Sequence, residues 1–107
     1  MSATFDRIRA LAAAGDVRIS EHGYDELSAD GLLAREVITG IADAEVIEDY
    51  PDYPKGARVL VLQRDAAGHV IHVVWGIPRR YTRPAVLVTA YRPDPGKWDA
   101  TLTRRRA

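Results

Sequence analysis

Arg58-Val-Leu-Val-Leu-Gln-Arg-Asp-Ala-Ala-Gly-His-Val-Ile-His-Val-Val-Trp75 holds two apolar, β-branched runs on either side of a short polar break. Val, Ile and Trp favour the pleated strand, and Asp and Gly favour turns. The stretch therefore predicts a hairpin of Arg58–Arg64 and His69–Ile77 across Asp65-Ala-Ala-Gly68. A four-residue loop pairing Arg64 with His69 places Val61 opposite His72. Leu60, Leu62, Ile71, Val73 and Trp75 then share the greasier face, expected to meet the helices. Val59, Val61, Gln63, Val70, His72 and Val74 share the other.

Working outward, Ala85-Val-Leu-Val-Thr-Ala-Tyr-Arg92 reads as a further strand, ended by Pro93-Asp-Pro95. Period 2 groups Leu87, Thr89 and Tyr91, which we place on the His72 face, and leaves Val86, Val88 and Ala90 toward the core. Glu45-Val-Ile-Glu-Asp-Tyr50 reads as a strand stopped by Pro51, and Pro51–Gly56 as a loop. Pro78–Pro84 is a basic loop carrying Arg79, Arg80 and Arg83, and Trp98 is expected to fold back onto the body.

N-terminal to Glu45 the period is that of helices. Phe5, Ile8, Leu11 and Ala12 mark one face of a helix over Thr4–Ala14, stopped by Gly15. Val17–Ser20 is a short extended piece. Ser20 can cap a second helix over Glu21–Leu27. Leu32–Ala42 is a third, burying Leu33, Val37, Ile38 and Ile41. Helices first and a strand meander after predict an α+β fold. Helices pack on one face of a roughly four-stranded antiparallel sheet, in a single domain spanning 1–107.

The chain has 107 residues, no Cys and zero formal net charge. Disulfides, thiolate metal sites and a Cys nucleophile are excluded. The zero hides a split: residues 1–50 carry four Arg against eleven Asp and Glu, and residues 51–107 carry eleven Lys and Arg against four Asp. Such asymmetry points either to a polyanion partner or to attraction between the two halves of one domain. Ala10–Ala14 is too short for a signal-peptide core and no run approaches a membrane span, so a cytoplasmic protein is expected. No metal or cofactor is expected. His69 and His72, three apart on a strand, point to opposite faces, and Glu45–Asp49 has too little ligand density.

Ser20-Glu-His22, Val46-Ile-Glu-Asp-Tyr-Pro51, Val59-Leu-Val-Leu62, Gly68-His-Val-Ile-His-Val-Val74 and Val86-Leu-Val-Thr-Ala-Tyr-Arg-Pro-Asp-Pro95 with Trp98 together carry a resemblance. They resemble a bacterial family of small domains of unknown function, grouped with the RelE-like, barnase–EndoU–colicin ribonuclease-toxin fold. The likeness covers roughly residues 17–98. It implies metal-independent RNA cleavage on the open sheet face, a toxin–antitoxin module, a cognate antitoxin protein, and RNA as the substrate, ribosome-associated mRNA included. One turn after the helix-start His the family usually carries a basic residue, and this chain has Glu26 there.

Such cleavage uses the ribose 2′-hydroxyl as nucleophile. It needs a base for that proton, an acid for the leaving 5′-oxygen, and donors or cations for the charged phosphorane. His22 and His72 are the expected acid and base. Thr89 and Tyr91 are the expected phosphate donors, Arg92 the charge clamp, and Arg79, Arg80 and Arg83 the RNA-binding rim. Glu26 suits an alternative, a non-catalytic protein-binding module of the same fold that has lost its active-site cation.

Overall fold

The computed structural model describes residues 2–106. Helix α1 spans Ala3–Ala13, and the Ser2 hydroxyl caps it by accepting from the Phe5 N–H at 3.0 Å. Phe5, Ile8 and Ala12 form its buried stripe. Strand β1, Val17–Ile19, leads into α2, Glu21–Ala29. Helix α3 spans Ala34–Gly40 and tightens into a 3-10 turn over Ile41–Asp43. Strands β2 (Glu45–Tyr50), β3 (Arg58–Arg64), β4 (Val70–Gly76) and β5 (Ala85–Tyr91) follow.

The α+β expectation holds, but the sheet has five strands in the order β1-β5-β4-β3-β2. The fifth is β1, which pairs in parallel with β5 through Val17↔Ala85, Arg18↔Val86 and Ile19↔Leu87. The four-stranded antiparallel expectation is corrected to a mixed sheet. Three residues give too short a pattern to reveal a partner, and a parallel pairing depends on the distant β5.

Side chains from α1, α2, α3 and the 3-10 turn, among them Phe5, Ile8, Leu27, Val37 and Ile41, pack on one face of the sheet. They meet Val59, Val61, Ile71, Val73, Trp75, Leu87 and Ala90. Fully burying each such side chain contributes about 1.5–3 kcal/mol. One polar side chain lies in this core. Gln63, 1% exposed, donates Nε2–H to the Val37 carbonyl at 2.7 Å and accepts the Trp75 indole N–H at 2.9 Å. It ties α3 to β3 and β4.

The hairpin register differs from expectation by one residue. Arg64 pairs with Val70, so Val61 faces Val73 and Leu62 faces His72. The cause lies in the turn. The Asp65 carboxylate accepts the backbone N–H groups of Ala67 at 3.0 Å and His69 at 2.8 Å. The Asp65 N–H also donates to the His69 carbonyl at 2.9 Å, so Asp65 and His69 face each other and close the hairpin one residue out of the expected frame. Consequently Val59, Val61 and Gln63 face the core and Leu60 and Leu62 the other side, the reverse of expectation for β3. On β4 the expected faces stand.

A bulge on β5 resolves the last strand. Trp75 pairs with Leu87 but Val74 pairs with Thr89, so Val88 is an extra residue. The bulge shifts parity. Leu87 lies in the core, contrary to the grouping by period 2, while Thr89 and Tyr91 lie on the His72 face. Val86 is buried but, like Val88, lies outside the cluster beneath the helices. No helix among the described residues is long and apolar enough to cross a membrane.

Candidate functional site: the open face of the sheet

Directly paired residues in a sheet project to the same side. The ladder therefore writes three rows across the face opposite the helices. The first is Tyr50–Arg58–Gly76–Val86–Arg18. The second is Glu48–Leu60–Val74–Thr89, and the third Glu45–Leu62–His72–Tyr91. The face thus has a cationic end, an apolar middle and an end carrying the histidine and tyrosine.

The C-terminal segment covers the histidine end. The bridge Trp98↔Arg105 closes it into a small loop, and the Asp99 carboxylate accepts from the N–H and hydroxyl of Thr101. Trp98 stands edge-on to the His72 ring at 4.5 Å, and the Arg105 guanidinium lies 4.7 Å over the indole. Arg105 also grips Glu48 with two hydrogen bonds, Nε to Oε2 at 2.8 Å and Nη2 to Oε1 at 3.0 Å. These bonds hold the Glu48 carboxyl below its ordinary range. The expected return of Trp98 onto the body is seen, and the body it meets is His72.

His72 is 0% exposed. Its Nε2 lies 2.7 Å from the Leu102 carbonyl, which can only accept, so Nε2 carries the proton. Nδ1 is then the acceptor facing the Tyr91 hydroxyl at 3.4 Å. Burial pushes the imidazole below its usual value of 6.5, outweighing the Leu102 carbonyl that favours the charged form. Burial also pushes the Tyr91 hydroxyl up. The pair is held neutral, and both imidazole nitrogens are occupied by the fold.

A depressed histidine makes stability depend on pH with a definite sign. The unfolded chain takes up a proton near 6.5, whereas the folded state resists it, so stability is full above that pH and is lost as pH falls below it. Melting curves between about pH 7.5 and 5.5 should show the loss. His72→Gln should flatten the slope. Equal slopes for the two proteins would remove His72 as the cause.

The structure does not gather the other expected catalytic residues around His72. His22 lies on the first turn of α2, exposed, with Nε2 3.6 Å from the Glu26 carboxylate. The helix start is pinned to the β5 bulge by Ser20, whose hydroxyl accepts the Gly23 N–H at 2.9 Å and donates to the Val88 carbonyl at 2.8 Å. Thr89 shares the open face with His72 but lies one row away. Arg92 joins elements at the opposite side: its N–H donates to Asp30 at 3.0 Å and its guanidinium to Asp65 at 3.0 Å.

The basic loop divides similarly. Arg83 is committed to Asp16, with bonds of 2.6 Å and 2.9 Å that lower the Asp16 pKa. The Asp16–Arg83 and Glu48–Arg105 pairs both join the acidic half of the chain to the basic half, so part of the charge split is internal attraction. Arg79 and Arg80 are exposed and, among the described residues, lie within 4 Å of no carboxylate. They line a groove of roughly 610 Å³ with Arg7, Tyr53 and Tyr81, where Asp52 is the acidic residue of the lining. Gly56 brings the two loops of this groove together. Its φ is +119°, and a Cβ there would sit 2.1 Å from the Ile77 carbonyl and 2.7 Å from the Arg79 nitrogen. Only glycine fits so close to that backbone.

Arg18, Lys55 and Arg58, which nothing in the sequence pattern singles out, border with Arg79 a second, smaller hollow beside Gly76. Arg18 and Arg58 sit forty positions apart, and only the ladder puts them in one row. Among the described residues no group of three or more metal-ligating side chains converges.

A family model described as "Domain of unknown function (DUF4258)" matches residues 19–92. The match includes α2 to β5 and ends before the segment that covers His72. No curated protein and no solved structure compared with the chain matches it.

Proposed function

The chain belongs to the DUF4258 domain family, and from its cationic face we propose that it is a ribonuclease-toxin-like domain that binds single-stranded RNA. One observation carries this reading: Arg18, Lys55, Arg58, Arg79 and Arg80 have no carboxylate within 4 Å among the described residues. Four of them, Arg18, Lys55, Arg58 and Arg79, gather at one hollow with no carboxylate in its lining, which suits phosphates, whose contacts supply most affinity for a polynucleotide. Tyr81, 70% exposed, offers a ring on which an unpaired base can stack.

The cleaving form of the proposal assigns proton transfer to His72 with Tyr91, and supporting roles to His22, Thr89 and Arg92. It requires the C-terminal segment to leave the face, because His72 has no free nitrogen beneath it. An acidic antitoxin protein would satisfy the same cations. A second reading, a protein-binding module without catalysis, is favoured by the sealed His72 and by Glu26 beside His22.

Anisotropy titration of a short single-stranded RNA at several salt concentrations tests the binding. Arg79→Glu with Arg80→Glu should weaken it at least tenfold and make its salt dependence shallower. Total RNA profiling after expression tests cleavage. New RNA ends with wild type, absent with His22→Ala plus His72→Ala, support the enzyme. RNA affinity with intact cellular RNA restricts the proposal to binding, and no RNA affinity at any salt gives way to the protein-binding reading.

A further inference from the structure

The cationic end of the open face contains a buried donor that nothing among the described residues satisfies. Arg58 Nε is shielded from solvent and, among the described residues, has no hydrogen-bond partner. A buried charged donor without an acceptor is costly. Its guanidinium is nonetheless held in place, lying 3.9 Å over the Tyr53 ring. Stacking fixes the plane; Nε is shielded beneath it, and the donors left open to a ligand are the Nη groups.

Beside it the row of side chains has a gap. Gly76 separates Arg58 on β3 from Val86 on β5, and Arg18 on β1 closes the far side. Arg58 and Arg18 stand three strand spacings apart, about 14 Å between backbones. The hollow between them measures roughly 260 Å³. Gly76, Val86 and Val88 line it, Lys55 and Arg79 join Arg58 and Arg18 at its border, and no carboxylate is among its lining residues.

We propose that this hollow is a phosphate-binding site, in which the Arg58 Nη groups donate to one phosphate group and Arg18, Lys55 and Arg79 neutralise it. A multiply charged tetrahedral anion suits several convergent cations better than a single carboxylate does. The site deepens the RNA-binding reading, because one backbone or terminal phosphate of the strand would occupy it. Its geometry also admits a free phosphate ion, and the experiment separates these sources.

The test follows the Arg58 Nε–H resonance of ¹⁵N-labelled full-length protein by NMR. The titrants are inorganic phosphate, a short 5′-hydroxyl RNA and the same RNA with a 5′-phosphate. Arg58→Met should weaken the binding seen with wild type at least tenfold, and Arg58→Lys should recover only part, since lysine keeps charge without the fork. Gly76→Ala changes the hollow without touching a charge. Its Cβ would meet the Ala57 carbonyl at 3.4 Å and Val88 Cγ2 at 3.5 Å, ordinary contacts that the fold accepts. It should weaken binding severalfold in a protein whose melting temperature is unchanged.

A shift of Arg58 with both RNAs assigns the site to a backbone phosphate. A shift with only the 5′-phosphorylated RNA assigns it to a strand end. A shift with inorganic phosphate but neither RNA keeps the phosphate site and removes the RNA reading. If RNA binds while Arg58 stays unshifted and Arg58→Met binds as tightly as wild type, the site is overturned and the RNA reading survives. If nothing shifts Arg58 and nothing binds, both fall.

Discussion

Gln63→Leu is expected to lower the free energy of unfolding by about 3 kcal/mol, although leucine is the more apolar residue and nearly the same size. The glutamine satisfies two buried groups at once, the Val37 carbonyl at 2.7 Å and the Trp75 indole N–H at 2.9 Å. Leucine strands both, and each unsatisfied buried group costs about 1–3 kcal/mol. The apolar surface gained offsets part of this at about 25 cal/mol per Å². Compensation by a shift of α3 is restricted, because Gly40 already approaches the Gln63 amide so closely that a Cβ there would lie 3.0 Å from Nε2. Urea unfolding measures the change. A midpoint difference worth less than about 0.5 kcal/mol would mean that the Trp75 and Val37 groups find other partners.

Trp98→Ala is expected to uncover His72. Trp98 is 3% exposed; it meets the sheet at His72 and packs under Arg105, whose bonds to Glu48 make the segment's other tie to the sheet. Removing a buried tryptophan costs about 3–5 kcal/mol where the cavity cannot collapse. Here the segment can instead detach, so the loss should fall first on this local unit. Three readouts should move together. The His72 ring should titrate closer to 6.5, its ordinary value, once burial no longer opposes its charge. It should become reactive to an imidazole-modifying reagent. Glu48 should lose the Arg105 bonds that hold its carboxyl down. An unchanged His72 titration in a folded variant would show that Leu102 and Arg105 suffice to keep the face closed.

The parts of the fold legible in the sequence are those written in one run of residues. The stripe of Phe5, Ile8 and Ala12 and the alternation in Ile71, Val73 and Trp75 each report their own element, and each element lies close to where its pattern places it. What escaped depended on a second place in the chain or on one atom. The partner of Val17–Ile19 is a strand beginning at Ala85. The extra Val88 reverses parity midway along β5, and nothing in Val86-Leu-Val-Thr89 marks which residue is unpaired. The candidate site divides similarly. That His72, Thr89 and Tyr91 share a face was readable by alternation, whereas the commitment of Arg83 to Asp16 and of Arg92 to Asp65 was not. The row joining Arg58 to Arg18 crosses three strand pairings and exists only in the assembled sheet.

Strand β3 carries a broader consequence. Val59-Leu-Val-Leu62 is equally greasy on both sides, so turning it over would exchange two valines for two leucines beneath the helices and change the hydrophobic gain little. For this strand the hydrophobic code is degenerate between two frames. The discrimination falls to a few oxygen and nitrogen atoms: the Asp65 carboxylate that shapes the turn and sets His69 opposite Asp65, and the Gln63 amide that finds partners on the inner side. Those atoms act less as cohesion than as information. They select which of two similarly oily surfaces becomes the interior, and so which one is left to carry the arginines.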